Sequence, residues 1–196
     1  MARTTNVKRV EIVLLAAAVV VVIAIALALR GGRGQRAATP AAAAEDPAGD
    51  ALASLKPGML VRHRDERLIV ERTLHFENPQ EQWVEHRLAD DRLGRSLWLE
   101  IQRRDGLEIA VYERLPAGEA PPADGEFLRD GVTFRLSERG AAGYRSDERA
   151  GPGKQGSVEF VEYVAGRIRL AYERFDAGRW EVSVGHQVEP ADIEVG

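Results

Sequence analysis

From Leu55 onward the apolar positions recur every second residue, not every third or fourth. Leu107, Ile109, Val111 and Leu115 share one face of a run broken by Glu108 and Glu113. Trp180-Glu-Val-Ser-Val184, Val132-Thr-Phe-Arg-Leu136 and Val158-Glu-Phe160 alternate in the same way. Alternation of this kind predicts half-buried strands. Turn signals separate the runs at Asp105-Gly106, Asp130-Gly131, Ala165-Gly166 and Ala177-Gly178, and Asp-Gly between alternating runs predicts hairpins. About ten strands and no long helix follow, so the expected class is all-β.

The pattern also repeats. Leu99–Val111 lies over Tyr172–Val184 without a gap at a spacing of 73, which sets Glu100 on Glu173 and Glu108 on Glu181. Upstream, Arg64-Asp65 with Leu68 and Val70 matches Arg129-Asp130 with Phe134 and Leu136 if one residue is deleted. Two halves, near 55–116 and 124–193, thus read as one duplicated β unit, joined around Pro121-Pro122. A unit of about 60 residues is marginal alone. The halves are therefore expected to form one pseudo-symmetric sandwich or barrel, with two small separate domains as the alternative.

The N-terminal third follows a different pattern. Ile12–Leu29 is an uncharged apolar run, and with Val10 it predicts a transmembrane helix over 10–29 behind a short flank, 1–9. At about 1.5 Å per residue, 18 residues span about 27 Å, close to a hydrocarbon core. A cleaved signal peptide would need a shorter apolar region and a small-residue cleavage site, whereas this run ends in Leu29-Arg30. Residues 30–54, rich in Ala, Gly and Pro, read as a flexible linker. Basic residues flank the span equally, with Arg3, Lys8 and Arg9 before it and Arg30, Arg33 and Arg36 after it. The positive-inside rule therefore leaves the orientation open.

Charge narrows the function. The net charge is −4, and the segment after residue 54 carries the acidic excess. An acidic domain lacks the positive field of a nucleic-acid binder. The chain has no cysteine, which excludes disulfides, thiol nucleophiles and cysteine-ligated metals. Gly151-Pro-Gly153-Lys-Gln-Gly156 satisfies G-x-G-x-x-G, but a strand follows it where a dinucleotide site needs a helix, so it reads as a hairpin loop. His63, His75, His86 and His186 show no metal spacing, and no serine sits in G-x-S-x-G. One polar strand histidine and three loop or edge histidines are expected, with neither metal nor cofactor nor a catalytic residue. An unfamiliar hydrolase is a remote alternative.

The candidate binding residues are Glu85, His86, Glu100, Glu173, Trp98 and Trp180. Glu85, Glu100, Glu108, Glu162, Glu173 and Glu181 recur across both halves. Alternating glutamates are either a solvated strand face or paired carboxylates able to bind cations. In the second case Glu100 and Glu173, on related strands, would line an acidic groove for a polycation. Tryptophans in alternating runs are expected in a core or at a barrel mouth.

An ordered set of motifs points further. Leu55-Lys-Pro-Gly58, Trp83-x-Glu85-His86, Leu97-Trp-Leu-Glu100 and Gly106-Leu-Glu-Ile-Ala-Val-Tyr-Glu113 mark the first half. Asp130-Gly-Val-Thr-Phe134, Tyr144-Arg145, Val161-Glu-Tyr163, Tyr172-Glu-Arg-Phe175 and Trp180-Glu-Val-Ser-Val-Gly185 mark the second. Together they resemble the bacterial family called domain of unknown function 4178, over most of 55–193. The resemblance implies an N-terminal membrane helix and a link to polyamine synthesis and membrane stress. It supplies no activity and no catalytic residues. The resulting expectation is a membrane-tethered binding or scaffold module, with a small-ligand pocket for a polyamine or lipid as the alternative. Its partners would be the membrane through 10–29 and a protein or small cation. Its place would be the bacterial inner membrane with the β domain in the cytoplasm.

Overall fold

The computed structural model describes residues 47–90, 95–104, 106–116, 118–149, 151 and 153–196. The transmembrane helix expected over 10–29 and most of the expected linker lie outside these residues. Among the described residues no helix is long and apolar enough to cross a membrane. A short helix, α1 (Pro47–Ala53), precedes eleven strands: β1 (Leu60–His63), β2 (Glu66–Glu77), β3 (Gln82–Asp90), β4 (Arg95–Arg103), β5 (Leu107–Arg114), β6 (Glu126–Arg129), β7 (Val132–Glu148), β8 (Gln155–Ala165), β9 (Ile168–Phe175), β10 (Glu181–Gln187) and β11 (Ile193–Val195).

Strand order is β11-β1-β2-β3-β4-β5-β10-β9-β8-β7-β6, and β2 also pairs with β7. That last ladder, from Arg72↔Glu148 to Glu77↔Gly143, closes β2-β3-β4-β5-β10-β9-β8-β7 into an eight-stranded antiparallel barrel. β1, β11 and β6 are additions outside the closed ring. Eight strands leave an interior only wide enough for side chains or one small ligand.

Three apolar clusters hold the barrel. The first includes Leu52, Leu55, Val61, Leu68, Leu99, Ile109, Val111 and Ile193. Because it unites α1, β1 and β11 with β2–β5, it lies on the outer wall of the barrel. The second lies inside, where Leu74, Phe76, Trp83, Trp98, Tyr112 and Val158 meet from five strands. The third is outside again, with Phe134, Tyr163, Leu170, Tyr172 and Val182 under β6. The barrel wall is thus apolar on both faces over much of its area, and added elements cover its outer side.

α1 changes the linker boundary drawn at residue 54. Pro47 starts the helix, where its missing N–H costs nothing. Leu52 and Leu55, three residues apart, are 2% and 0% exposed. Asp50 accepts from Arg103 at 2.7 Å on β4. Burial of two leucines, worth about 1.5–3 kcal/mol each, fixes a segment whose composition alone suggested a coil.

The two five-strand runs share detail at their starts. β1 and β2 turn at Arg64-Asp65, and β6 and β7 turn at Asp130-Gly131, with left-handed φ of 55° at Arg64 and 49° at Asp130. At this spacing of 66 no deletion is needed, and Leu68 and Val70 still fall on Phe134 and Leu136. One residue further on, both runs carry a bulge, at Glu71 between Val70 and Arg72 and at Ser137 between Leu136 and Glu138. Downstream the gapless spacing of 73 fails by two residues. Glu100 faces Ala110 across β4–β5, whereas Glu173 faces Glu181 across β9–β10. Seven residues separate the paired Glu173 and Glu181 where nine separate Glu100 and Ala110, so the second hairpin is two residues shorter between matched positions, and an even slip keeps every side chain on its own face. At the 73 spacing, the residues matching β11 are Ala120-Pro121-Pro122; prolines donate no hydrogen bond, so no strand forms there.

Candidate functional site

Inside the barrel the alternation that buries aromatics also buries carboxylates. On β3, Trp83 and Glu85 point inward together, and on β4 Trp98, Glu100 and Gln102 do so. Glu85 and Glu100 are direct cross-strand neighbours. Glu173 joins them from β9, where it faces Phe160 of β8 and Glu181 of β10. Room comes from small residues on the inner face. A Cβ on Gly140 would lie 2.9 Å from the Phe160 ring, and one on Gly185 would overlap the Tyr112 ring.

Glu85, Glu100 and Glu173 border one cavity of about 40 Å³, together with Glu81, Glu138, Glu162, Trp83, Gln102 and Phe160. By the same measure a water needs about 10–15 Å³, so the space holds about three water-sized groups. Six glutamates around so small a volume divide into two sets. Three are matched with arginine. Arg104 donates to Glu81 and Glu138 at 2.6 Å each, and Gln102 donates to Glu81 at 2.9 Å. Arg169 donates to Glu162 at 2.7 Å and to Glu108 at 2.6 Å, while the Tyr112 hydroxyl donates to Glu162 at 2.9 Å.

The other three have no such partner. Among the described residues no ion pair reaches Glu85, Glu100 or Glu173. Glu85 is 7% exposed and takes one hydrogen bond, from the Trp83 indole N–H at 3.1 Å. Glu100 and Glu173 are half-buried. Burial raises all three carboxyls. Glu85 rises well above the ordinary range, through desolvation and then the charges of Glu173 and Glu100. Burial and the charge of Glu162 push Glu100 up to about 8. Burial pushes Glu173 up to about 7, against the pull of Arg114. Tyr112, desolvated between Glu100 and Glu162, is raised well above its usual value.

This arrangement suits a cation better than chemistry on a substrate. Three carboxyls that cannot all ionise beside one another become able to do so around a positive group. Trp83 and Phe160, in edge-to-face contact at 5.4 Å between ring centres, both border the cavity and offer aromatic surface to an organic ammonium. Among the described residues no group of three or more His, Asp or Glu is placed to hold a metal ion.

The remaining candidates lie elsewhere. His86 points away from Glu85, through the outer wall. It is 0% exposed, its Nδ1 lies 2.9 Å from the Thr73 hydroxyl, and its Nε2 has no hydrogen-bond partner. Burial lowers it to about 4, so it is a neutral core residue. Trp180 packs on the third, outer cluster with the Arg174 guanidinium 4.9 Å from its ring. Trp98 is inside, two residues from Glu100, with Arg114 5.7 Å from its ring. All four histidines sit on strands, in β1, β2, β3 and β10, which corrects the loop or edge placement expected for three of them. The described part of the G-x-G-x-x-G stretch lies in the β7–β8 hairpin. Sequence reasoning missed Glu81, Glu138, Arg104, Arg169 and Tyr112. Tyr112 and Arg114 continue the inward period of Ala110, which was the available signal; the arginine pairings needed the closed barrel.

A family model described as domain of unknown function (DUF4178) matches residues 56–190. Uncharacterized protein Mb2628 of Mycobacterium bovis is 32% identical over 151 residues, covering 72% of this chain and 71% of that protein. Uncharacterized protein Rv2597 of Mycobacterium tuberculosis matches to the same extent. No solved structure matches. The matched span runs from the turn before β1 to the last residues after β10, and so takes in the whole closed barrel with its carboxylates: the chain belongs to the domain of unknown function 4178 family.

Proposed function

We propose that this protein is a membrane-tethered binding module whose barrel takes the positively charged end of a small organic cation, a polyamine in first place. One observation carries the reading: Glu85, Glu100 and Glu173 border a single cavity and, among the described residues, no arginine or lysine is bound to any of them, while the neighbouring Glu81, Glu138 and Glu162 each have one. The cavity admits an ammonium group but not a whole spermidine. The rest of the ligand would therefore emerge past Glu81, Gln102 and Glu138. The family's expected link to polyamine synthesis fits this chemistry. A scaffold role has less support, because the exposed large apolar side chains among the described residues, Leu128, Ile168, Val184 and Val195, are spread over four strands.

The apolar run over 10–29 supports a single transmembrane helix; the flanking charges leave its orientation open, and only the family's expected link to polyamine synthesis supports a barrel on the cytoplasmic side of the inner membrane. Calorimetric titration of spermidine into the full chain in a non-ionic detergent tests the ligand. Heat that saturates, and that Glu100→Gln with Glu173→Gln removes, supports the reading; no heat at millimolar spermidine overturns it.

A further inference from the structure

The bare carboxyls also suggest how occupancy of the site is controlled. We propose that the site exchanges protons for its ligand, an alkylammonium group entering the cavity as protons leave Glu100 and Glu173 for the solvent. This rests on the cationic-ligand reading above.

Geometry leads to it. Glu85 and Glu100 stand directly opposite on neighbouring strands, and Glu173 borders the same small cavity from the far wall. Without a counter-ion, like charges this close are unfavourable, and a carboxyl proton is the cheapest way to remove one. The other charged groups facing the cavity are already matched. Glu81 beyond β2 and Glu138 on β7 share Arg104, Glu162 on β8 and Glu108 on β5 share Arg169 of β9, and Glu181 on β10 holds Arg114 of β5. Tyr112 gives its proton in a hydrogen bond to Glu162. The exchangeable protons therefore sit on Glu85, Glu100 and Glu173. Glu85 is the deepest and is held by the Trp83 indole N–H, so it is the last to ionise.

An ammonium brings one positive charge and three N–H donors. With two carboxyl protons released, the complex carries two carboxylates around one ammonium, with Glu85 still neutral. Atoms balance: the protonated amine and two carboxylic acids give the bound ion pair and two protons in the buffer. Each proton displaced strengthens binding about tenfold per pH unit wherever the free site still holds it. Burial holds Glu173 near 7 and Glu100 near 8. Binding therefore tightens throughout pH 6 to 8, most steeply below pH 7, and an alkylamine stays charged across that range.

The test titrates 1,4-diaminobutane into the full chain in a non-ionic detergent at pH 6 and pH 8, in phosphate and in Tris. The expected result is a Kd at least tenfold tighter at pH 8. The heats in the two buffers should differ in proportion to the protons released. Glu100→Gln, close in shape and neutral, should release one proton fewer and flatten the pH dependence. Saturable binding with one Kd at both pH values and the same heat in both buffers overturns proton exchange and leaves the cationic-ligand reading standing. Absence of binding at both pH values overturns both.

Discussion

Replacing Glu100 with glutamine should make the barrel more stable at neutral pH, although it removes a native side chain. Burial raises Glu100 from an ordinary value near 4.5 to about 8. Between those values the unfolded chain has released the proton and the folded chain has kept it. The folded state then binds more protons, so stability falls as pH rises through this window, by about 1.4 kcal/mol per pH unit. At pH 7 the cost reaches about 3 kcal/mol, and above pH 8 it levels off near 5 kcal/mol. Below pH 4.5 both states are protonated and the cost vanishes. Glutamine keeps the shape and never ionises. Urea unfolding followed by tryptophan fluorescence at pH 4.5 and pH 7.5 reads the difference. With a slope of about 2 kcal/mol/M, 3 kcal/mol moves the midpoint by about 1.5 M. The expected result is near-equality at pH 4.5 and a midpoint higher for Glu100→Gln at pH 7.5. Equal midpoints at both pH values, or a variant weaker at both, refutes the picture of an uncompensated carboxyl.

Other consequences follow from the same geometry. His86, lowered by burial to about 4 against an ordinary 6.5, must stay neutral to fold. Its contribution is complete above pH 6.5 and falls by up to about 3 kcal/mol as pH drops to 4, a loss that His86→Gln should abolish in acid urea titrations. Thr73→Val removes its hydroxyl partner and should cost about 1–3 kcal/mol in the same assay at pH 7. Gly185→Ala drives a methyl into the Tyr112 ring and should cost about 1–3 kcal/mol; an unchanged melting temperature would show that the ring moves freely. Gly196→Cys gives the chain its only thiol, and a membrane-impermeant maleimide should label it only after cell lysis, whereas labelling of intact cells would put the barrel on the outer side.

Period-two alternation was enough to read the class and most strands, because a strand with one buried face writes that face into every second residue. It did not say which face turned inward. Ile109 and Val111 look like barrel-core residues, yet they lie on the outer wall beneath α1 and β11. Glu85 and Glu100 look like a solvated face, yet they lie in the lumen. Both faces of these strands are covered, so hydrophobicity alone cannot assign them. Trp83 and Trp98, each two residues before a glutamate, share its face, and the closed barrel turns that face inward. α1 was hidden by its Ala-, Gly- and Pro-rich composition and depends on Leu52 and Leu55 meeting the barrel wall. The two-residue slip between β5 and β10 was invisible because the gapless match is itself good, and only the strand pairing exposes it.

On the proposed reading, the lumen holds protonated, unmatched glutamates that ionise around a cation. Carbon-13 NMR of the glutamate carboxyls, with and without spermidine, measures this at the atoms concerned. The Glu100 and Glu173 carboxyl signals should titrate above pH 6.5 in the free chain. At pH 6.5, saturating spermidine should move both to the ionised position. Titration of both near 4.5, with no change on adding spermidine, would contradict that reading.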